Sequence, residues 1–193
     1  AALKTTGLQA SRNADIDLVD VSLPDAQVIP LDPQAHGRLL TWIDLFIGAI
    51  AVGSAMDVFR IVGNWAENRI IKTGGLLKDN PMDAAVLAQV AMDIMNTRLL
   101  VHSLAGAVAH PEEFSLENAH LLFILSESIV FQVAQQCMHA VDRTMELMGS
   151  AGYAKEWNVE KHWRDIRTLM VTLGGRVPLE MDVARAFYGS EGL

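Results

Sequence analysis

From Leu39 onward the apolar residues recur with helical spacing. Leu39, Ile43, Phe46, Ile47 and Ile50 fall on one stripe, continued by Val58, Ile61, Val62 and Trp65. Gly74, Gly75 and Pro81 punctuate its end. Leu87, Val90, Ile94, Val101 and Leu104 predict a second helix from about Met82 to Ala107, closed by Pro111. Ser115 reads as the N-cap of a third helix, with Glu117 and Asn118 in its first turn. That helix reaches about Met148, on the order of 50 Å at 1.5 Å per residue. Gly149 and Gly152 close it, and two shorter helical pieces follow, about 159–168 and 178–188, split by Gly174 and Gly175. Upstream the pattern differs. Asp15 to Val21 alternates partially between polar and apolar residues, a strand pattern with one buried face. Pro24, Pro30 and Pro33 then mark a linker in which no helix runs.

These elements predict a mainly α fold: an antiparallel four-helix bundle of three long helices and a fourth in pieces, preceded by a short β segment. The expected division is 1–33 as the end of a β-domain plus linker, and 34–193 as a helical bundle domain. All three long helices are apolar on more than one face, so contacts beyond this chain are expected. A lone strand forms no sheet. It pairs with another chain, or it ends a domain that lies elsewhere.

Composition narrows the function. Apolar residues make up 51% and charged residues 20% of 193, which excludes a disordered chain. The formal net charge of −8 makes a phosphate-backbone partner a poor fit, so no nucleic acid is expected. Cys137 is the single cysteine, which excludes an internal disulfide and a cysteine-based zinc site. A reducing, cytoplasmic location is the default. The sequence begins Ala1-Ala2-Leu3 without a signal pattern. The uncharged run Leu45–Met56, bounded by Asp44 and Asp57, is short for a bilayer, so no membrane span is expected.

Several constellations read as structure rather than chemistry. Glu117-x-x-His120 has the spacing of a di-iron bundle but no second pair, and no two of the six histidines stand four apart, so no metal is expected. His102 and His139 read as core or interface residues with one hydrogen bond each. Cys137 reads as an inert buried thiol and the methionine-rich faces as core filling. Gly74-Gly75 and Gly174-Gly175 lie in no phosphate-loop pattern and, taken alone, terminate helices. The dense run Glu156–Arg167, with Trp157 and Trp163, predicts a packed, hydrogen-bonded turn.

The stretch Gly149-Ser150-Ala151-Gly152-Tyr153-Ala154-Lys155-Glu156-Trp157-Asn158-Val159-Glu160-Lys161-His162-Trp163-Arg164-Asp165 resembles, without a gap, the C-terminal signature of the acyl-CoA dehydrogenase family. Other segments resemble it in the same order. Gly7–Ser11 and Val21–Pro24 resemble the last strands of the family's middle β-domain. Gly37-Arg38-Leu39 resembles the start of its first C-terminal helix, Ala66–Arg69 with Gly74-Gly75 its Arg-x-x-Phe-Gly turn, and Leu87–Met92 its Leu-Ala-Asp/Glu-Met stretch. The likeness covers nearly the whole chain but only the C-terminal half of a member. It implies FAD held between domains and across subunits, tetramers, an acyl-CoA substrate in fatty acid metabolism, and an electron-transfer partner. The implied reaction is α,β-dehydrogenation, in which a glutamate removes the α-proton.

At the residues that matter most the sequence departs from that pattern. The usual base position is Leu173, followed by Gly174 and Gly175, and the alternative base position is Gly37. Neither residue accepts a proton, and Asp44, about two turns further along the helix, reads as too distant. The resemblance puts Arg69, Gly75, Glu146, Gly149, Ser150, Gly174 and Gly175 on the cofactor side and Arg38 on the substrate side. Glu146 stands where many members carry Gln, and Ser150 where they carry the second Gly. The leading expectation is an FAD-dependent acyl-CoA dehydrogenase-like oxidoreductase or related flavin chemistry. The alternatives are a non-catalytic assembly subunit of a heteromeric dehydrogenase and a flavin monooxygenase of the same fold. Either a homo- or a hetero-oligomer fits.

Overall fold

The computed structural model describes residues 3–11, 13–29, 32–172 and 176–189, with the Arg176 side chain excepted. It is mainly helical. Five helices follow in order: α1 (Pro33–Asn68), α2 (Pro81–Ala109), α3 (Ala119–Met148), α4 (Val159–Thr172) and α5 (Arg176–Tyr188). The long helices α1, α2 and α3 pack against one another, and α4 and α5 lie on α3. Five helices rather than four result because the expected fourth piece is two separate helices.

Each long helix starts at a polar cap followed by a proline or alanine. Asp32 accepts from the backbone N–H groups of Gln34 and Ala35, so Pro33 is the first helical residue rather than the end of a linker. Asn80 caps α2 ahead of Pro81 in the same way. The third helix starts at Asn118, not Ser115. Ser115 instead has left-handed backbone (φ 55°) at the end of a 3-10 turn, Pro111–Phe114.

The core follows a different stripe of α1 from the one its largest apolar residues suggest. The buried face runs Gly37, Thr41, Asp44, Leu45, Gly48, Val52, Ala55, Val58, Val62 and Ala66. Of the expected stripe only Ile47 and Val62 join Val58 in the core, while Leu39, Ile43, Phe46 and Ile50 are exposed. Small residues win the inner face because three helices converge there, and Gly48 meets Val101 of α2 and Val130 of α3. On α2 the expected Val90, Ile94 and Leu104 are buried, with Met92, Met95 and Leu99 exposed on the other side.

The expected strand does not form. Among the described residues there is no sheet, and Ile16, Leu18, Val19 and Val21 are exposed. Among the described residues the segment has no strand to pair with. By length and composition alone α1, α2 and the stretch Ala119–Tyr153 are long and apolar enough to cross a membrane, a longer reach than the uncharged run Leu45–Met56 suggests. In this fold their apolar faces are used, in part, against one another.

Candidate functional site

At the C-terminal end of α1 the chain reverses tightly. Leu77 N–H donates to the Arg69 carbonyl (2.8 Å), Ile71 N–H donates to the Gly75 carbonyl (3.1 Å), and Ile70 bridges Leu76. Gly74 and Gly75 take φ of 83° and 92°, the left-handed region that glycine adopts without a Cβ clash. The turn holds Arg69 at the surface with its guanidinium 5.7 Å from the Trp65 ring. Asn64, Trp65, Asn68, Arg69 and Trp157 line a cleft of about 380 Å³ there. Trp157 belongs to the signature-like stretch, so the fold brings together two segments separated by two helices. Nothing lies within 4 Å of where a Cβ would stand on Gly74, Gly75 or Gly149, so backbone is open to a ligand at all three.

The signature-like stretch turns on its glycines in two ways. Gly149 (φ 58°, ψ −134°) ends α3 and donates its N–H to the Glu146 carbonyl. Gly152 is buried, and a Cβ there would lie 2.8 Å from the Met145 backbone. Glu146 is turned to Arg143, which donates to its carboxylate. The pair is exposed at the surface, so it offsets the carboxylate's charge only in part. Ser150 is exposed. Leu173, Gly174 and Gly175 lie outside the described residues.

Arg38 lies elsewhere. It is exposed at the other end of α1, beside Thr41, Trp42, Pro111, Glu117 and Leu122 in a separate small cleft. Arg38 and Arg69 are roughly 45 Å apart along one helix at 1.5 Å per residue. Gly37 is buried beneath this cleft. A Cβ on it would stand 3.1 Å from the Ala119 carbonyl oxygen, a tight fit in which the start of α3 would have to give by a few tenths of an ångström.

The charged run Glu156–Arg167 does form a packed, hydrogen-bonded unit. Arg164 pairs with Glu160 (2.7 Å) and donates to the Thr6 carbonyl (2.5 Å). Asp165 accepts from Lys161 (2.5 Å) and from the Leu8 backbone N–H (2.6 Å), which holds its carboxyl below the usual range despite burial. Trp163 donates to Asp142 (2.7 Å), and His162 bridges Ser54 (2.7 Å) and Asp57 (3.1 Å) on α1. Arg164 and Asp165 therefore clasp residues 6–8 onto α4. Gly7 makes the clasp possible, since its position abuts the Arg164 carbonyl and the Thr168 hydroxyl with no room for a Cβ.

Sequence reasoning passed over a second place where chemistry is concentrated. Asp44 and Glu127 are the only carboxylates among the buried residues described, 4% and 5% exposed. The Ser126 hydroxyl lies 2.6 Å from Asp44 and 2.7 Å from the Phe123 carbonyl. It has one hydrogen, which it donates to the Asp44 carboxylate or to the Phe123 carbonyl, one at a time. Burial pushes Asp44 up to about 6, against the lowering effect of Ser126. Burial, with Asp182 and Asp44 nearby, pushes Glu127 up to about 8. Glu127 Oε2 has no hydrogen-bond partner among the described residues. Glu127 also lines a cleft of about 250 Å³ between α3 and α5, with Ser128, Phe131, Gln132, Leu179, Glu180 and Val183. The signal for this site was present, an Asp and a Glu on otherwise apolar helix faces, but only packing shows that both point inward.

The remaining expectations resolve simply. Cys137 is buried, and burial pushes its thiol up to about 12, as an inert thiol requires. His139 makes one hydrogen bond, to Asp93 of α2 (2.8 Å), and both it and His102 are exposed rather than in the core. His110, Glu112 and Glu113 gather at the surface between α2 and α3, a grouping the sequence reading did not single out.

Comparison with known proteins places this geometry. A family model described as acyl-CoA dehydrogenase, C-terminal domain, matches residues 45–172. A Bacillus subtilis (strain 168) protein named as the probable acyl-CoA dehydrogenase YngJ is 26% identical over 182 residues, covering 93% of this chain and 46% of that one. The solved structure of a glutaryl-coenzyme A dehydrogenase in complex with glutaryl-CoA superposes with a TM-score of 0.79 at 22% identity, over 98% of this chain and 47% of that one. A probable acyl-CoA dehydrogenase from Mycobacterium abscessus gives 0.80 at 18% identity, over 96% and 48%. The chain thus spans about half the length of the curated relative it matches.

Proposed function

Because this chain belongs to the acyl-CoA dehydrogenase family, we propose that it is the C-terminal helical half of an FAD-dependent acyl-CoA oxidoreductase, its residues 1–33 ending a β-domain. The observation that carries the reading is the cleft shared by Arg69 and Trp157. It joins two segments whose sequence resembles the family's cofactor-facing motifs, and it offers what a dinucleotide needs. Arg69 supplies a fixed cation for a pyrophosphate, Trp65 and Trp157 supply apolar ring faces, and the open backbone at Gly74, Gly75 and Gly149 admits close approach. When bound, FAD supplies hydride acceptance from the acyl chain. The chain's own residues bind and orient. Arg69 positions phosphate, Arg143 holds Glu146 away from it, and Arg38 faces the acyl-CoA.

The separation of Arg38 from Arg69 supports assembly across subunits. Roughly 45 Å along one helix is too far for one cofactor to serve both ends, so each end completes a site with another chain. The exposed apolar residues Trp42, Ile43, Phe46 and Ile50 on α1, and Met92, Met95 and Leu99 on α2, are surfaces such neighbours cover. A tetramer, an aqueous cytoplasmic setting and an electron-accepting partner protein complete the proposal. A second reading, a non-catalytic assembly subunit, draws on Leu173 and Gly37, neither of which accepts a proton.

Anaerobic addition of short-chain acyl-CoA to the flavin-loaded native protein tests the two readings. Bleaching of the flavin absorbance supports the enzyme. Flavin uptake that needs a second, base-carrying chain supports the assembly subunit, and a protein that takes up no flavin under either condition refutes both.

A further inference from the structure

The proposed reaction needs a base, and neither family position supplies one, since Leu173 is aliphatic and Gly37 has no side chain. Resting on that functional reading, we infer that Glu127 is the proton acceptor of this chain, taking the α-proton of an acyl thioester whose chain enters the cleft between α3 and α5. Three observations carry this. The carboxylate is 5% exposed, its Oε2 has no partner among the described residues, and it lines a cleft whose other walls include Phe131, Leu179 and Val183. Phe131, Leu179 and Val183 give the cleft an apolar side for an acyl chain, and Ser128, Gln132 and Glu180 give it a polar one. The cleft also lies at the correct end of the bundle. Leu122 borders the Arg38 cleft and Glu127 the second one, five residues apart on α3, a rise of about 7.5 Å.

The step is a proton transfer. The Cα–H bond breaks, the proton moves to the Glu127 carboxylate, and the electron pair remains on the thioester as its enolate. At neutral pH most Glu127 carries a proton, because burial, with Asp182 on α5 and Asp44 on α1, raises it to about 8. Among the described residues the charged groups near it are Asp44 on α1 and Glu180 and Asp182 on α5, all acidic. Base activity therefore rises with pH up to that value. Burying an acid at this cost is a feature typical of functional sites.

The test is exchange of the α-protons of butyryl-CoA in heavy water, followed by mass spectrometry on the native flavin-loaded protein. It needs no net oxidation. Binding of butyryl-CoA is measured separately by calorimetry. Wild type exchanges α-protons faster as pH approaches about 8. E127Q binds butyryl-CoA equally and loses exchange by about 10²-fold or more, and E127D restores part of it. If E127Q exchanges at the wild-type rate, the assignment of Glu127 is wrong while the acyl-CoA reading stands. If wild type binds no butyryl-CoA, the acyl-CoA reading itself fails, and the assignment with it.

Discussion

Replacing Glu127 with Gln should stabilise the protein, and by an amount that grows with pH. The folded carboxyl titrates at about 8 against an ordinary value of 4.5. A folded state that binds the proton more tightly than the unfolded state loses stability as pH rises from the lower value to the higher one. At pH 7 the linkage penalty from those two values is on the order of 3 kcal/mol, whereas at pH 5 it is about 1 kcal/mol or less. Gln has the same shape and no charge, and Oε2 loses no hydrogen bond because it makes none among the described residues. Urea denaturation of wild type and E127Q at pH 5, 7 and 8.5 measures the difference. The expected pattern is a stability gain that widens from pH 5 to pH 8.5, with an unchanged denaturant slope. A variant less stable than wild type at pH 7, or a gain independent of pH, refutes the claim that Glu127 is held in the fold against its own ionisation. A buried acid that weakens the fold is readily understood if the site needs it, since activity and stability often compete.

Three further outcomes follow from the same packing. Gly7→Ala places a Cβ against the Arg164 carbonyl and the Thr168 hydroxyl, so residues 3–11 should detach and become the first site of limited proteolysis. Asp165→Asn removes the charge from the bond Leu8 N–H donates and from the Lys161 pair, and it should give the same cleavage pattern more weakly. Gly152→Ala forces Met145 backbone aside and should cost about 1–3 kcal/mol by urea denaturation.

The sequence was most informative where a local rule decides the outcome. Helix starts at Pro33 and Pro81 follow capping chemistry visible as Asp32-Pro33 and Asn80-Pro81, though Pro33 was read as linker because prolines cluster upstream of it. The turn at Gly74-Gly75 and the close of α3 at Gly149 were legible because positive φ selects glycine. The packed run Glu156–Arg167 was legible from its charge spacing, but its role as a clasp was not, since Thr6 and Leu8 lie far from it in sequence. The inner face of α1 was misassigned for a physical reason. Apolar size points to Leu39, Ile43 and Phe46, yet close helix contact selects Gly37, Thr41, Gly48 and Ala55, leaving the large residues outward. Asp44 reads from the sequence only as too distant a base, and Glu127 does not stand out at all, because burial of a charge is a tertiary fact. The strand expected at Asp15–Val21 did not form because alternation sets a face but does not supply a partner.

The central claim, that this chain contributes the flavin-binding half of a family enzyme, is tested most directly by FAD titration of the native protein and its Arg69→Ala variant, followed by flavin fluorescence. The account predicts saturable binding by the native protein and at least tenfold weaker binding by the variant, because Arg69 is the cation of the Trp65–Trp157 cleft. Equal affinity in the two would contradict the placement of the pyrophosphate, and the absence of FAD binding by the native protein would contradict the account as a whole.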